Sequence, residues 1–491
     1  MLDTKTDLSS ILTDPQLLRT QGFVGGDWSD AASGATFPVT NPARGDVIAE
    51  VADFGREDVA TAIEAAHAAQ IDWAARPAKE RATILRRWFD EIMSHADDLA
   101  RILTAEQGKP LAEAKGEIAY GAAFIEFFAE EAKRVAGEII PGHAADKRIH
   151  VIRQPVGVAA AITPWNFPTA MITRKAGPAL AAGCAMLIKP SELTPLSALA
   201  LGELAMRAGL PTGLLSVLPS NDAPAVGREF CENQKVRKLT FTGSTEVGRI
   251  LLRQASDQVM KVSMELGGNA PFLVFDDADL DAAVAGAVAC KYRNAGQTCV
   301  SANRIYVQDG IYDAFAEKLA AAVGAMQVGD GLDGADLGPL IEEAAIEKVE
   351  AHIADAKSKG GDVILGGERH EAGGLFFEPT VITGATTDMV CAREETFGPI
   401  APLFRFSTEE DAVAQANNTI YGLAAYFYAR DYQRVTRVSE ALEYGIVGVN
   451  TGIISTEVAP FGGMKQSGLG REGSRHGIEE FLEMKYVCLS V

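Results

Sequence analysis

The side chain best placed to do covalent chemistry is Cys299, in the stretch from Cys290 to Arg304 (Cys-Lys-Tyr-Arg-Asn-Ala-Gly-Gln-Thr-Cys-Val-Ser-Ala-Asn-Arg). It follows an amphipathic helical pattern from Asp279 to Tyr292, and its neighbours are small or carry amides. Small neighbours let a substrate carbon reach the sulfur. Gly296 allows a turn without a Cβ penalty, and Gln297 and Thr298 can hold a loop by local hydrogen bonds. A nucleophilic thiol needs partial exposure and nearby dipoles or cations. The competing reading is a small buried hydrophobe, the usual fate of a free cysteine.

Other stretches place polar groups directly after apolar runs. Thr163 to Pro168 (Thr-Pro-Trp-Asn-Phe-Pro) follows Val158-Ala-Ala-Ala-Ile, and Lys189-Pro-Ser-Glu192 follows Ala185-Met-Leu-Ile. Gly243-Ser-Thr-Glu-Val-Gly248 follows Lys238-Leu-Thr-Phe-Thr. Glu265-Leu-Gly-Gly ends a further strand-like run, and Glu394-Glu-Thr-Phe-Gly-Pro399 lies far downstream. Taken singly, each has a bland alternative. Lys189 could be a strand-end charge, Asn166 could satisfy a turn, and Glu265 or Glu395 could be a solvated acid.

The elements that must position these groups alternate along the chain. Residues 56 to 138 repeat apolar side chains at helical spacing, as in Val59, Ile63, Ala66 and Ala69. Trp73, Trp88, Phe124, Phe127 and Phe128 read as core. From residue 156, runs that are apolar on both faces alternate with helices at 169–182, 195–208, 222–232 and 244–258. That pattern signals buried parallel strands with crossover helices, whose ligands bind beyond the carboxyl ends of the strands. The three segments that follow such strands should therefore line one crevice. A second alternating set begins near 271, with strands at 271–275, 304–308, 362–365, 400–406 and 446–450, and it carries Cys299. The alternating stretch 147–154 and the tail from 481 read as a small flap whose edges must be covered, which points to pairing with another subunit.

Composition narrows the partners. The 491 residues are 47% hydrophobic and 23% charged, as expected of a globular chain of about three domains' length. A net charge of −21 repels nucleic acid and anionic lipid, so neither is expected as a partner. The longest apolar run, Ala176 to Ile188, is too short to span a membrane. Six scattered cysteines with no CxxC pair suit a reducing compartment, and no secretory signal is visible, so a cytoplasmic location is expected. With no HExxH motif or paired CxxC, no catalytic metal is expected.

Two motifs fail on context. Gly468-Leu-Gly470-Arg-Glu-Gly473 matches a dinucleotide fingerprint but follows Met-Lys-Gln-Ser instead of an apolar strand. Gly243 to Gly248 has P-loop spacing, yet Arg249-Ile250 replaces the Lys-Ser/Thr pair; its amides can still face a phosphate.

The six segments Pro164-Trp-Asn-Phe-Pro168, Lys189-Pro-Ser-Glu192, Phe241-Thr-Gly-Ser244, Glu265-Leu-Gly-Gly268, Gly296-Gln-Thr-Cys299 and Glu394-Glu-Thr-Phe-Gly-Pro399 occur in one order. As a set they strongly resemble the aldehyde dehydrogenase superfamily, from about residue 20 to the end. Met171-Ile-Thr-Arg-Lys, Tyr292 to Cys299 and Val458 to Gly473 make the chain look like the succinate-semialdehyde dehydrogenase branch, which overlaps with glutarate-semialdehyde dehydrogenases. The resemblance implies an α/β fold of two doubly wound α/β domains plus a small β oligomerisation flap. It implies a dinucleotide-binding domain from 1–138 and 156–267, a catalytic domain at 268–467, and a flap at 139–155 and 468–491, in a homodimer or homotetramer.

The same resemblance implies oxidation of a short carboxylated aldehyde through a cysteine thiohemiacetal and thioester. Cys299 matches the nucleophile, Glu265 the general base, and the Asn166 amide with the Cys299 N–H the oxyanion donors. Thr163, Pro164, Trp165, Asn166, Lys189, Ser191, Glu192, Gly243, Ser244, Leu266, Glu395 and Phe397 match the positions that hold NAD. Glu192 would repel a 2′-phosphate, which favours NAD with NADP as the other candidate. Arg174 and Arg293, with Ser455, match the groups that bind the substrate carboxylate, for which a guanidinium fork is well suited. Succinate semialdehyde and glutarate semialdehyde both remain open as substrates. A CoA-acylating enzyme is disfavoured because Glu265 would be superfluous, and an inactive relative because Cys299, Glu265 and Asn166 are intact. Ser301 stands where relatives often carry a second cysteine, so a protective disulfide with Cys299 is not expected.

Overall fold

The computed structural model describes residues 8–491, so residues 1–7 of the first expected segment lie outside it. Two large sheets, each with its own apolar core, dominate the fold. The first has eight strands in the spatial order Gly468–Leu469, Lys261–Glu265, Val236–Thr242, Val158–Ile162, Ala185–Lys189, Leu215–Val217, Gly22–Val24 and Asp27–Ser29. The five from Lys261–Glu265 to Leu215–Val217 run parallel, and the outer strands join antiparallel.

The reason is in the side chains. Val158 to Ala161 and Ala185 to Lys189 are buried on both faces, so helices must cover both sides. Trp73 and Trp88 fill that core, their indole N–H groups donating to the Leu180 and Leu201 carbonyls.

The second sheet has seven strands: Asp362–Leu365, Thr380–Ala385, Ile400–Phe406, Ala302–Gln308, Ala270–Val274, Ala424–Tyr428 and Ile446–Val449. All pair in parallel except the first. Two of them, Thr380–Ala385 and Ala424–Tyr428, are additions to the strands read from the sequence. A third sheet pairs Leu482–Ser490 with Lys147–Pro155 over nine residues and adds Glu138–Ile140. Pro155, read as the stop, is the last residue of its strand. No described helix is long and apolar enough to cross a membrane.

The segment 468–491, expected wholly in the flap, divides. Gly468–Leu469 pairs with Met264 and Glu265 at the edge of the first sheet. Ile478, Phe481 and Leu482 are buried in the first core, because the short helix Ser474–Glu479 carries its apolar side onto Phe128 and its neighbours. Of this segment's strands, only Leu482–Ser490 belongs to the three-stranded sheet.

Candidate active site

Cys299 sits between the 3-10 turn Arg293–Gly296 and the strand Ala302–Gln308. The turn is left-handed at three successive residues, Asn294 (φ 52°), Ala295 (φ 55°) and Gly296 (φ 75°). At Gly296 a side chain would meet the Gly398 carbonyl at 2.2 Å, so glycine is required there. Gly268 serves a related purpose: a Cβ would lie 2.4 Å from the Cys299 carbonyl oxygen, so its absence lets the chain after Glu265 pass against the cysteine loop.

Cys299 is partly exposed, in the wall of a cavity of about 430 Å³. Pro164, Trp165, Asn166, Gly243, Ser244, Leu266, Glu395 and Phe397 share that wall. They come from the ends of neighbouring parallel strands of the first sheet and from a loop of the second domain. Ser244 caps the helix Thr245–Ser256, its hydroxyl accepting from the Val247 N–H. Phe397 is held at φ 56° with its ring edge-on to Trp165, 5.6 Å between centroids. Strain at such a residue persists only where its surroundings over-determine it.

Thr163, Lys189, Ser191 and Glu192 do not line this cavity. They lie at the adjacent strand ends, where the Thr163 N–H donates to the Lys189 carbonyl. Lys189 is buried and reaches Glu192 Oε2 at 2.7 Å, while the Ser191 hydroxyl accepts from the Leu193 N–H.

Asn166 is buried, and its Nδ2 donates to the Gln297 carbonyl at 3.0 Å, two residues before Cys299. Its side-chain oxygen has no partner. Glu265 ends its strand opposite Thr242 and Gly468. It is buried, and Oε2 makes no hydrogen bond. Room for the carboxylate depends on Gly462, where a Cβ would stand 2.8 Å from Oε1.

Burial dominates the electrostatics of the site. Burial pushes the Cys299 thiol up to about 12, with Glu395 and Glu265 adding to the effect and Arg174 and Arg293 opposing it. Burial and the charge of Glu472 hold the Glu265 carboxyl well above the usual range, against Lys175, Arg174 and Arg471. Burial raises Glu395 to about 8, with Lys348 as the main opposing charge; its Oε1 accepts from the Gly268 N–H at 3.3 Å. In this ligand-free state burial thus favours the neutral forms of Cys299, Glu265 and Glu395.

On the far side, Arg174 is fully buried on the helix Ala170–Ala182. It donates to the Tyr120 hydroxyl at 2.5 Å and stacks over Phe461 and Phe124 at 4.4 and 4.9 Å. Its Nε has no hydrogen-bond partner and stands 3.5 Å from Glu472. Arg293 is half-buried over the Phe167 ring at 5.4 Å and makes no ion pair among the described residues. Arg174, Arg293 and Ser455 all act on the Tyr120 phenol, which burial pushes up. The three expected carboxylate binders thus all lie within electrostatic or hydrogen-bonding reach of one tyrosine.

Tyr120, Lys175, Lys348, Glu472 and Asn294 were not among the sequence candidates. Lys175 donates to Glu472 and to Thr242 Oγ1 beneath Glu265. Its signal was a lysine beside Arg174 in a buried helix, where charge must be paired. Glu472 lies inside the rejected glycine fingerprint. Ser301 is buried, its hydroxyl donating to the Lys291 carbonyl at 3.4 Å.

Comparison with known proteins accords with this geometry. Residues 28–487 match the Aldehyde dehydrogenase family. The chain is 63% identical over 481 residues to the NADP+-dependent succinate-semialdehyde dehydrogenase of Escherichia coli (strain K12), covering 98% of this chain and 100% of the relative. It is 62% identical over 481 residues to a glutarate-semialdehyde dehydrogenase of Pseudomonas putida, with the same coverage. Among solved structures, succinate-semialdehyde dehydrogenase from Burkholderia pseudomallei matches with a TM-score of 0.97 at 62% identity, covering 98% of this chain and 100% of that one.

Proposed function

The chain belongs to the aldehyde dehydrogenase family, and on that premise we propose that it oxidises a short ω-carboxy aldehyde, succinate semialdehyde foremost, to the corresponding acid with NAD or NADP. The observation that carries the substrate class is the buried Arg174, hydrogen-bonded to Tyr120, with Arg293 and Ser455 acting on the same phenol and both arginines acting on the Cys299 sulfur. A buried guanidinium whose Nε makes no hydrogen bond and only a 3.5 Å ion pair with Glu472 suits a carboxylate. The second reading, glutarate semialdehyde, is favoured by the near-equal identity to an enzyme of that name.

A dinucleotide fits the residues present. Thr163 Oγ1 is buried without a partner, and the capped helix start at Ser244 opens onto the cavity. Lys189 and Glu192 would hold the adenosine ribose, Gly243 and Ser244 the pyrophosphate, and Glu395, Phe397, Trp165 and Leu266 the nicotinamide end. When bound, the oxidised nicotinamide supplies a hydride acceptor.

The chain's own residues do the rest. Cys299, partly exposed in the cavity wall, gives its proton to water, and the sulfur bonds to the aldehyde carbon. The oxyanion that forms accepts hydrogen bonds from the second N–H of Asn166 Nδ2 and from the Cys299 N–H; such donors are worth most in a dry site. After loss of hydride the substrate is a thioester on Cys299. Glu265, once ionised, takes a proton from water, which adds to the thioester carbon and expels the Cys299 thiolate with the acid product. Arg174 and Arg293 fix the far carboxylate so that only a substrate of matching length presents its carbonyl to sulfur.

The reading assigns residues 156–267 with the N-terminal helices to the dinucleotide and 268–467 to the nucleophile. The flap's open edge strand Leu482–Ser490 exposes Met484, Tyr486 and Leu489, which supports a homodimer or homotetramer of a cytoplasmic enzyme. The test follows cofactor reduction by absorbance with succinate semialdehyde, glutarate semialdehyde and uncharged aldehydes of equal length. The four-carbon semialdehyde should have the highest kcat/KM. An uncharged aldehyde used equally well would defeat the carboxylate reading.

A further inference from the structure

Asn294 joins the two loops that carry the reacting groups. Its Nδ2 donates to the Asn166 carbonyl at 3.1 Å and to the Gln297 carbonyl at 3.3 Å. The Asn166 Nδ2 donates to that same Gln297 carbonyl at 3.0 Å, which closes a ring of three side-chain to backbone bonds. Because Asn166 Oδ1 has no partner, the Gln297 carbonyl is what orients the Asn166 amide. Asn294 itself is held from outside the ring. Its N–H donates to Glu113 Oε2 at 2.8 Å, and its carbonyl accepts from Gln297 Nε2 at 3.1 Å. Its backbone is left-handed at φ 52°, ψ 38°, a region asparagine tolerates better than most residues. Lys109 Nζ also donates to the Asn166 carbonyl, at 2.8 Å; of the two side chains that donate there, Asn294 is the one that also donates to the Gln297 carbonyl.

We infer that Asn294 is a positioning residue that sets the aim of the Asn166 amide relative to the Cys299 sulfur. The inference rests on the oxyanion role proposed for Asn166. Without the Asn294 amide, the Gln297 carbonyl loses one of its two fixed donors and the Asn166 amide can turn with it. A displacement of about 1 Å at a reacting centre lowers the rate by up to about 100-fold.

The test compares Asn294→Gly, which keeps the left-handed backbone and removes the amide, with Asn294→Asp, which puts an acceptor where a donor was. In the full-length enzyme, kcat should fall about 10- to 100-fold in both, while the KM for NADP+ stays within about twofold. In an Asn166→Ala background, adding Asn294→Gly should cost less than about twofold more, since a residue that acts through another is silent once that other is gone. Multiplicative losses in the double variant would overturn the inference and leave the proposed function standing. So would undiminished kcat in Asn294→Gly, or loss of the folded state in both Asn294 variants. Undiminished kcat in Asn166→Ala would overturn both the oxyanion role and the inference.

Discussion

Lys175 donates to Glu472 in the floor beneath Glu265, where both side chains are almost wholly removed from water. The pair comes from the buried helix Ala170–Ala182 and from the turn after Gly468–Leu469. Its two charges act on Glu265 in opposite senses, Glu472 raising the carboxyl and Lys175 lowering it.

Replacing Glu472 by glutamine removes a negative charge that raises the Glu265 carboxyl and leaves three opposing cations, Lys175, Arg174 and Arg471, in place. The folded-state pKa of Glu265 therefore falls, and more of it is ionised at a given pH. The acid limb of the kcat–pH profile should move to lower pH in Glu472→Gln. Stability should drop by about 3–5 kcal/mol, because Lys175 is left buried and unpaired, which denaturant titration would read. An unmoved acid limb would mean that Glu265 does not govern it.

The Cys299 thiol, pushed up to about 12 mainly by burial, is protonated at neutral pH in the ligand-free enzyme. Its thiolate fraction rises tenfold per pH unit in that range. Alkylation of Cys299 by iodoacetamide, followed by peptide mapping to separate it from the exposed Cys488, should accelerate roughly 100-fold from pH 7 to pH 9 without a plateau. Arg174→Gln should slow it further, because Arg174 favours the thiolate. A plateau below pH 8 would show a thiol activated before substrate binds.

Glu192 keeps its side chain 39% exposed while paired with Lys189 at 2.7 Å. A carboxylate there opposes a 2′-phosphate, and the exposure limits the effect by screening. Glu192→Ser should raise kcat/KM for NADP+ about tenfold, roughly 1.4 kcal/mol, with little change for NAD+. Equal use of both cofactors by the parent enzyme and no change in the variant would place phosphate discrimination elsewhere.

Gly468 faces Glu265 across the edge pairing at φ 143°, and a Cβ would stand 1.9 Å from the Met264 carbonyl oxygen. Gly468→Ala must push that edge away, at a cost of about 3 kcal/mol. Since the displaced strand end carries Glu265, thioester hydrolysis should slow as well. A thermal melt and a single-turnover assay of acid release would measure the two losses; an unshifted melting temperature would mean the edge yields freely.

Much of this protein is written locally. The runs beginning at Val158, Ala185 and Lys238, alternating with helical stretches, read as strands buried on both faces, and the polar residues after them collect at one end of a parallel sheet. Cys299 stood out by its small neighbours and Gly296, and the structure requires glycine there at φ 75°. Strands such as Thr380–Ala385 and Ala424–Tyr428 escaped because short apolar runs do not distinguish strand from buried helix.

The sequence by itself determined which residue types were available, their order, and the alternation that builds two parallel sheets. Tertiary structure alone decided that Tyr120 would meet Arg174, that Glu472 would load the charge around Glu265, and that Gly468–Leu469 would leave the flap for the sheet edge. Periodicity reports which face of an element is buried. Distances between charges far apart in the chain exist only once the chain has packed, and the protonation of a buried acid or thiol depends on those distances.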